Sequence, residues 1–184
     1  MKQPLLVCAM LVWGAGLAVA DEGVFANQII VGGVMDLEGQ SRGLGQGMKT
    51  GIEAAFRGVS VKGRRLNFKV LNDSYTPSLT GQQTQRLIDE DVFAVIGNVG
   101  TPTAQVSLPL LAKARIPAVG FFTGAGLLRP GVGDVINFRA SYVQEAAAVI
   151  DAAITAGVRP QEICAYVQND AYGMAGVSGI KAAL

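Results

Sequence analysis

The segment FAVIGNVGTPTAQVSLPLLAKARIPAVGFF, residues 93–122, contains two apolar runs separated by a longer stretch with helical spacing. FAVIGNV (93–99) and IPAVGFF (116–122) have the length and apolar character of buried strands. TPTAQVSLPLLAKAR (101–115) lies between them and predicts the helix that connects two parallel neighbours. This strand–helix–strand unit predicts a parallel α/β sheet.

The same alternation extends along the chain from Asn27, at the spacing of successive βαβ units. The further predicted strands are 28–36, 65–73, 134–141 and 162–168. The further predicted helices are 43–58, 78–91, 142–157 and one that begins near Tyr172. VSVKGRRL (59–66) carries a Lys-Gly turn and predicts a solvated hairpin or loop.

The first twenty residues, MKQPLLVCAMLVWGAGLAVA, have a cationic start, an apolar core and an A-x-A site at 18–20. This pattern predicts a secretory signal peptide. A membrane anchor is the alternative, but Gly14 and Gly16 interrupt a short apolar run. We therefore expect a protein exported to the periplasm. Only Cys164 would remain after cleavage, so no intramolecular disulfide is expected.

The charge of the chain is nearly balanced, with 15 Lys and Arg residues against 14 Asp and Glu residues. Neither nucleic acid nor a membrane surface is therefore predicted as a partner. The chain has no histidine, which excludes histidine-based triads and histidine metal sites. It also lacks a G-x-S-x-G elbow, a P-loop and a C-x-x-C motif. We predict no catalytic residue, no metal ligand and no cofactor.

The candidate site lies where the strand 93–99 ends and the next helix begins. Gly97 and Gly100 allow sharp turns, Pro102 suits a first helical turn, and Thr101 or Thr103 can cap the helix with its hydroxyl. The free amides of that turn, with the positive end of the helix dipole behind them, can accept a carboxylate. The alternative is an ordinary helix cap with no ligand.

The next strand end, GFFTGAG (120–126), offers the same kinds of groups. Thr123 provides a hydroxyl, Gly124 and Gly126 provide flexible backbone, and Phe121 and Phe122 are candidate exposed aromatics. Two adjacent strand ends with similar chemistry favour binding over simple capping. At the end of the second predicted strand, NDSYTPSLT (72–80) is better explained as structural.

These segments resemble the type I periplasmic solute-binding proteins of ABC importers, in the branched-chain amino-acid (Leu/Ile/Val) group. The resemblance runs from Gln28 to the end of the chain. It is carried by IIVGGVMDLEGQSRGLGQGMKTGIEAAF, NDSYTP, IGNVGTPTAQVSLPLLAKARIPAVGFFTGAG, NFRASY and NDAYGMAGVSGIKAAL.

The resemblance implies an α/β lobe built on a doubly wound parallel sheet with helices on both faces. We expect a signal peptide at 1–20, an N-terminal ligand-binding lobe at 21–139 and the start of a second α/β lobe at 140–184. NFRASY (137–142) is expected to be the first crossing between lobes. Because the chain stops at KAAL within a helical pattern and without a cap, we expect that second lobe to be incomplete.

The resemblance also implies which residues contact the ligand. The loop GNVGTPT corresponds to carboxylate contacts, FFTGAG to contacts with the head group, and DAYG to an aromatic that closes from the second lobe. The implied ligand-binding residues are Gly100, Thr101, Thr103, Thr123, Gly124, Ala125 and Tyr172. Two departures from the family pattern, Leu44 and Ala125, replace an expected aromatic and an expected hydroxyl, and they weaken the case for an amino-acid ligand.

The implied function is that of an importer component. We expect it to capture a small solute (an amino acid, an amide or a short carboxylate) between two lobes and deliver it to a permease in the inner membrane. An extracellular sensing domain of a receptor or regulator is the alternative. An enzyme that holds a nucleotide on GLGQG (43–47) is a third, disfavoured because that loop lacks the G-x-G-x-x-G spacing.

Overall fold

The computed structural model describes residues 22–184, so the predicted signal peptide lies outside the described residues. Strands and helices alternate along most of this range, as the sequence predicts. The elements are β1 (Gln28–Met35), α1 (Arg42–Phe56), β2 (Ser60–Val61), β3 (Arg64–Asn72), α2 (Pro77–Asp89), β4 (Ala94–Ile96), α3 (Thr101–Ala114), β5 (Ala118–Val119), β6 (Val135–Ile136), α4 (Tyr142–Thr155) and α5 (Ala171–Ala183).

The strands form one sheet in the order β2-β3-β1-β4-β5-β6. All neighbouring pairs are parallel except β2 and β3, which form an antiparallel hairpin at the edge. The hairpin turns at Lys62 and Gly63, both with positive φ, as a tight two-residue turn requires. The predicted parallel sheet and the predicted hairpin are both confirmed.

Helices cover both faces of the sheet, which confirms the doubly wound arrangement. On one face, Ile52 of α1 packs with Met35 and Val99. On the other, Leu87 of α2 and Leu108 of α3 belong to a larger core that includes Val34 and Val95. Side chains alternate between the two faces along β1, so consecutive residues enter different cores.

Two glycines in β1 let both layers approach the central strand closely. A Cβ on Gly32 would lie 2.8 Å from Leu87 Cδ1 of α2. A Cβ on Gly33 would lie 2.7 Å from Phe68 Cζ on the opposite face. Both distances are far inside normal contact, so the sheet packs this tightly only with glycine at these positions.

The chain reverses its direction of winding between β1 and β4. The helix that follows β1 lies on one face, and the helix that follows β4 lies on the other. The loops after these two strands therefore diverge and leave a crevice at the carboxyl edge of the sheet, where doubly wound proteins bind ligands.

The predicted strand at 162–168 is wrong. Pro160–Glu162 form a 3-10 turn, and the residues after it are irregular as far as the start of α5. A strand needs a hydrogen-bonding neighbour, and the sheet in the described range ends at β6. Cys164 and Tyr166 are accordingly exposed.

α4 and α5 pack against each other, and α5 also contacts α3. α4 begins with a capping box between Ser141 and Gln144, which explains why the helix starts where the sequence predicts. None of the helices within residues 22–184 is long and apolar enough to cross a membrane.

Candidate functional site

The loop between β4 and α3 takes a conformation that requires glycine. Gly100 has φ 110° and ψ 154°, a region that side-chain-bearing residues essentially avoid. A Cβ there would also lie 2.4 Å from Cε2 of Tyr75. Gly100 therefore brings the main chain into contact with the Tyr75 ring, directly before α3 begins at Thr101.

The threonine hydroxyls around this loop bond within the protein. Thr103 Oγ1 donates to the Val99 carbonyl at 2.6 Å. Thr101 Oγ1 and Thr123 Oγ1 share a hydrogen bond of 2.6 Å. All three threonines are at most 1% exposed. These hydroxyls fix the loops to one another.

The prediction that Thr101 or Thr103 caps α3 with its hydroxyl is wrong. No side chain caps this helix, because both hydroxyls are turned to partners in the neighbouring loops. Within residues 22–184, neither the Thr101 N–H nor the Thr103 N–H donates to a protein acceptor. The first turn of α3 thus keeps main-chain donors and the positive end of the helix dipole available.

The two predicted strand-end loops form one unit. Val99 pairs with Phe122 in a parallel bridge. The Phe122 N–H donates to the Asn98 carbonyl at 2.7 Å, and Asn98 Nδ2 donates to the Val34 carbonyl at 3.2 Å. These bonds tie the ends of β1, β4 and β5 together, so the predicted loops are brought side by side.

Gly124 and Ala125 lie beneath the start of α4. A Cβ on Gly124 would come within 2.7 Å of Tyr142 Cδ1, and the Gly124 carbonyl accepts the Tyr142 N–H at 2.8 Å. The Ala125 N–H donates to Thr123 Oγ1 at 3.1 Å, and Ala125 is buried. These two residues join the strand-end loop to the helix.

A cavity of about 350 Å³ lies between the strand ends and the α4–α5 region. Of the predicted site residues, Gly100 and Tyr172 line it. The other five, Thr101, Thr103, Thr123, Gly124 and Ala125, do not contribute to its wall and support it from behind. The wall also includes Leu44, Tyr75, Phe122, Arg139, Tyr142 and Glu145.

Arg139 is the main wall residue that sequence reasoning missed. Its guanidinium carbon lies 5.0 Å from the ring centre of Phe122 and 5.3 Å from that of Tyr142. It also forms an ion pair with Glu145. The signal was present in NFRASY, where Arg139 follows a strand end, but local sequence does not show which rings it will meet.

Tyr75 is held in the cavity by Asp73. Asp73 Oδ1 accepts the Tyr75 N–H at 3.0 Å, and Oδ2 accepts the Thr80 hydroxyl at 2.8 Å. Burial, followed by the negative charge of Asp170, raises the pKa of Tyr75 to about 12. Its phenol is therefore a neutral hydrogen-bonding group near neutral pH. The interpretation of this turn as purely structural missed a wall residue.

Tyr172 stands at the start of α5. Asp170 caps the helix by accepting the N–H groups of Tyr172 and Gly173, at 2.9 and 3.1 Å. The Tyr172 ring is 43% exposed and meets Tyr142 edge to face, with 5.4 Å between ring centres. The ring is thus at the mouth of the cavity and is not packed beneath its helix.

The described part of the chain contains no cluster of three or more His, Cys, Asp or Glu side chains that could hold a metal ion. The groups available for chemistry in the cavity are thus main-chain donors, phenols, aromatic rings and one ion pair. These groups can bind and orient a small solute.

Comparison with known proteins identifies the same architecture. A family model described as periplasmic binding protein matches residues 28–184. No curated protein matches the chain significantly. A solved structure, a possible leucine/isoleucine/valine-binding protein from Rhodopirellula baltica SH 1, is 41% identical, with a TM-score of 0.81, over 86% of this chain and 44% of that one.

Two further structures share the fold at lower identity. A substrate-binding periplasmic protein from Ralstonia solanacearum is 24% identical, with a TM-score of 0.74, over 84% of this chain and 45% of that one. An ABC transporter solute-binding protein from R. palustris, in complex with 4-hydroxybenzoate, is 23% identical, with a TM-score of 0.76, over 85% and 43%. The chain spans less than half the length of each of these proteins.

Proposed function

This chain belongs to the periplasmic binding protein family, and we propose on that premise that it is the solute-binding component of an ABC importer. It binds a small solute with a carboxylate group between two lobes and delivers it to a permease in the inner membrane. Residues 21–139 form the first lobe and residues 140–184 begin the second. The signal peptide at 1–20 places the protein in the periplasm, and its activity is binding rather than catalysis.

One observation carries the proposal: α3 begins with unused main-chain donors beside a cavity at the switch point of the sheet. The Thr101 and Thr103 N–H groups have no acceptor in the described residues, and the adjacent Gly100 lines the cavity. A carboxylate at this position gains charge-assisted hydrogen bonds and interacts favourably with the helix dipole. An amino acid is one candidate, since the Rhodopirellula baltica protein is described as a possible leucine/isoleucine/valine-binding protein.

The site residues divide into two roles under this proposal. Gly100 and Thr101 provide main chain to the carboxylate, with Thr103 next to them, and Tyr172 closes over the solute from α5. Thr123, Gly124 and Ala125 position the neighbouring loop through the bonds that join Thr123 to Thr101 and Gly124 to Tyr142. The threonine side chains then act on affinity through the loops that they hold.

The test separates the Thr101 N–H from its hydroxyl. Thr101→Val removes the hydroxyl and keeps the N–H, whereas Thr101→Pro removes both. Proline is well tolerated at the first helical position, and the extended ψ of Gly100 suits a residue before proline. We expect Thr101→Pro to bind about 10- to 150-fold more weakly than Thr101→Val, the equivalent of about 1.5–3 kcal/mol for a hydrogen bond to a charged group.

A thermal-shift screen of the purified protein against L-amino acids, primary amides and short or aromatic carboxylates identifies the probe, and calorimetry then measures both variants. The methyl ester of the best carboxylate is the matched ligand control, because it has the same shape without the charge. Equal affinity of the two variants, or equal binding of acid and ester, contradicts the proposed carboxylate site.

A further inference from the structure

We infer that the solute is an aromatic carboxylate without an α-ammonium group. The inference rests on the proposed function and names the ligand class of the same cavity. It follows from two independent properties of the described wall, its charges and its rings.

The carboxylates around the cavity are all engaged, as far as residues 22–184 extend. Asp36 is fully buried and accepts the N–H groups of Glu38, Gly39 and Ser41, at 3.1, 2.5 and 2.7 Å. Asp170 caps α5. None of these oxygens is free to face a ligand ammonium, and a buried ammonium without a partner is strongly disfavoured.

Glu145, which lines the cavity, is engaged as well, because it is paired with Arg139. The pair leaves the wall able to donate further hydrogen bonds. Only Arg139 Nη2 contacts Glu145, while Nε and Nη1 of the same guanidinium have no acceptor in the described residues. The free polar capacity on this side is therefore that of a donor, which suits an anion and not a cation.

The uncharged part of the wall is aromatic. Phe122, Tyr142, Tyr75 and Tyr172 all line the cavity. Tyr142 and Tyr172 already make an edge-to-face pair, and Arg139 lies against two of the rings. A flat ring can add offset or edge-to-face contacts to such a wall, which an aliphatic chain of similar size cannot make. The neutral Tyr75 phenol adds no repulsion towards a carboxylate.

Four ligands separate the two properties. L-Leucine and 4-methylpentanoate differ only in the α-ammonium group, as do L-phenylalanine and 3-phenylpropanoate; the two pairs differ from each other in the ring. Calorimetry on the purified protein should give 3-phenylpropanoate an affinity about tenfold or more above that of L-phenylalanine, because no acceptor compensates the ammonium. It should also bind about three- to tenfold more tightly than 4-methylpentanoate.

Phe122→Leu is the matched protein variant, because it keeps an apolar side chain and removes a ring. It should weaken 3-phenylpropanoate about threefold or more and leave 4-methylpentanoate within about twofold. Tighter binding of L-leucine than of 4-methylpentanoate overturns the inference and leaves the proposed carboxylate site standing. If 4-methylpentanoate binds more tightly than 3-phenylpropanoate, the aromatic part is wrong. Failure of all four, together with an empty screen of carboxylates, overturns the inference and the proposed function together.

Discussion

The two sides of the cavity are built differently. The strand-end platform, residues 97–103 and 120–125, buries its threonine hydroxyls and bonds them to one another. The helical wall, residues 139–145 and 163–172, carries its polar groups near solvent, in an ion pair whose side chains are 22% and 39% exposed and in the half-exposed Tyr172. One side is fixed by its own interior, and the other is held by contacts at its surface.

The difference assigns separate tasks to the two sides. The platform is ordered during folding, so binding does not have to supply that ordering entropy, and its main-chain donors are positioned in advance. The wall makes fewer buried bonds and can adjust its rings and its ion pair around a solute. We therefore expect substitutions in the platform to lower stability and affinity together, and substitutions in the wall to change affinity with little cost in stability.

Gly100→Ala is the strongest test of a rigid platform. The change forces a side chain into a conformation with φ 110° and against the Tyr75 ring at 2.4 Å. Strain and overpacking together should lower the free energy of unfolding by about 3 kcal/mol and weaken ligand binding more than tenfold. Chemical denaturation and calorimetry measure the two effects.

Gly51→Ala is the control for this substitution, because a Cβ there meets nothing within 4 Å inside α1. It should raise stability by about 0.5–1 kcal/mol, since alanine is the better helix former. If Gly100→Ala is as harmless as Gly51→Ala, the platform is not rigid and the contrast with the wall fails.

The hydroxyl pair of the platform is tested by a double-mutant cycle. Thr101→Val and Thr123→Val each leave one buried hydroxyl without its partner at 2.6 Å and should each cost about 1–3 kcal/mol of stability. The double variant removes both groups and should cost less than the sum, with a coupling of about 1 kcal/mol. Thermal or urea unfolding of the four proteins gives the coupling; additive effects would mean that the two hydroxyls act independently.

The sequence predicted the frame of the platform because its signals are local. Apolar runs indicated the strands, and glycine followed by Thr101-Pro102 located the start of α3 at the residue where the structure has it. The partner of Thr101 is 22 residues away, so the capping prediction failed where a tertiary contact outweighed a local one.

The wall was harder to predict, for two physical reasons. Arg139 and Tyr75 reach the cavity only through long-range folding, and nothing in their neighbourhood along the chain identifies the rings that they meet. The apolar run 162–168 was predicted as a strand, but a strand forms only beside another strand, and apolar composition carries no information about that neighbour. The functional residues that sequence reasoning missed therefore lie mostly on the helical side.

Arg139→Lys tests the adaptable side of the contrast. Lysine keeps the charge but loses the planar group that lies against Phe122 and Tyr142. We expect ligand affinity to fall about two- to fivefold, the equivalent of about 0.5–1 kcal/mol for an exposed cation–π contact, with a smaller change in stability than for Thr101→Val. Calorimetry and thermal unfolding measure both quantities, and a stability loss above that of Thr101→Val would place Arg139 with the platform.

The smallest expected effect is a dependence of stability on pH, through Asp73 beneath Tyr75. Burial raises the pKa of Asp73 above its ordinary value, and the Thr80 hydrogen bond only partly offsets this. A carboxyl whose pKa is higher in the folded protein stabilises the fold fully below its unfolded pKa of about 4 and loses that contribution as the pH rises through the raised value. The stability of the protein relative to Asp73→Asn should therefore fall from acidic towards neutral pH, as measured by urea unfolding at several pH values. A relative stability that rises with pH would mean that the Thr80 hydroxyl and the Tyr75 N–H outweigh burial, so that the support of Tyr75 would belong electrostatically with the satisfied bonds of the platform.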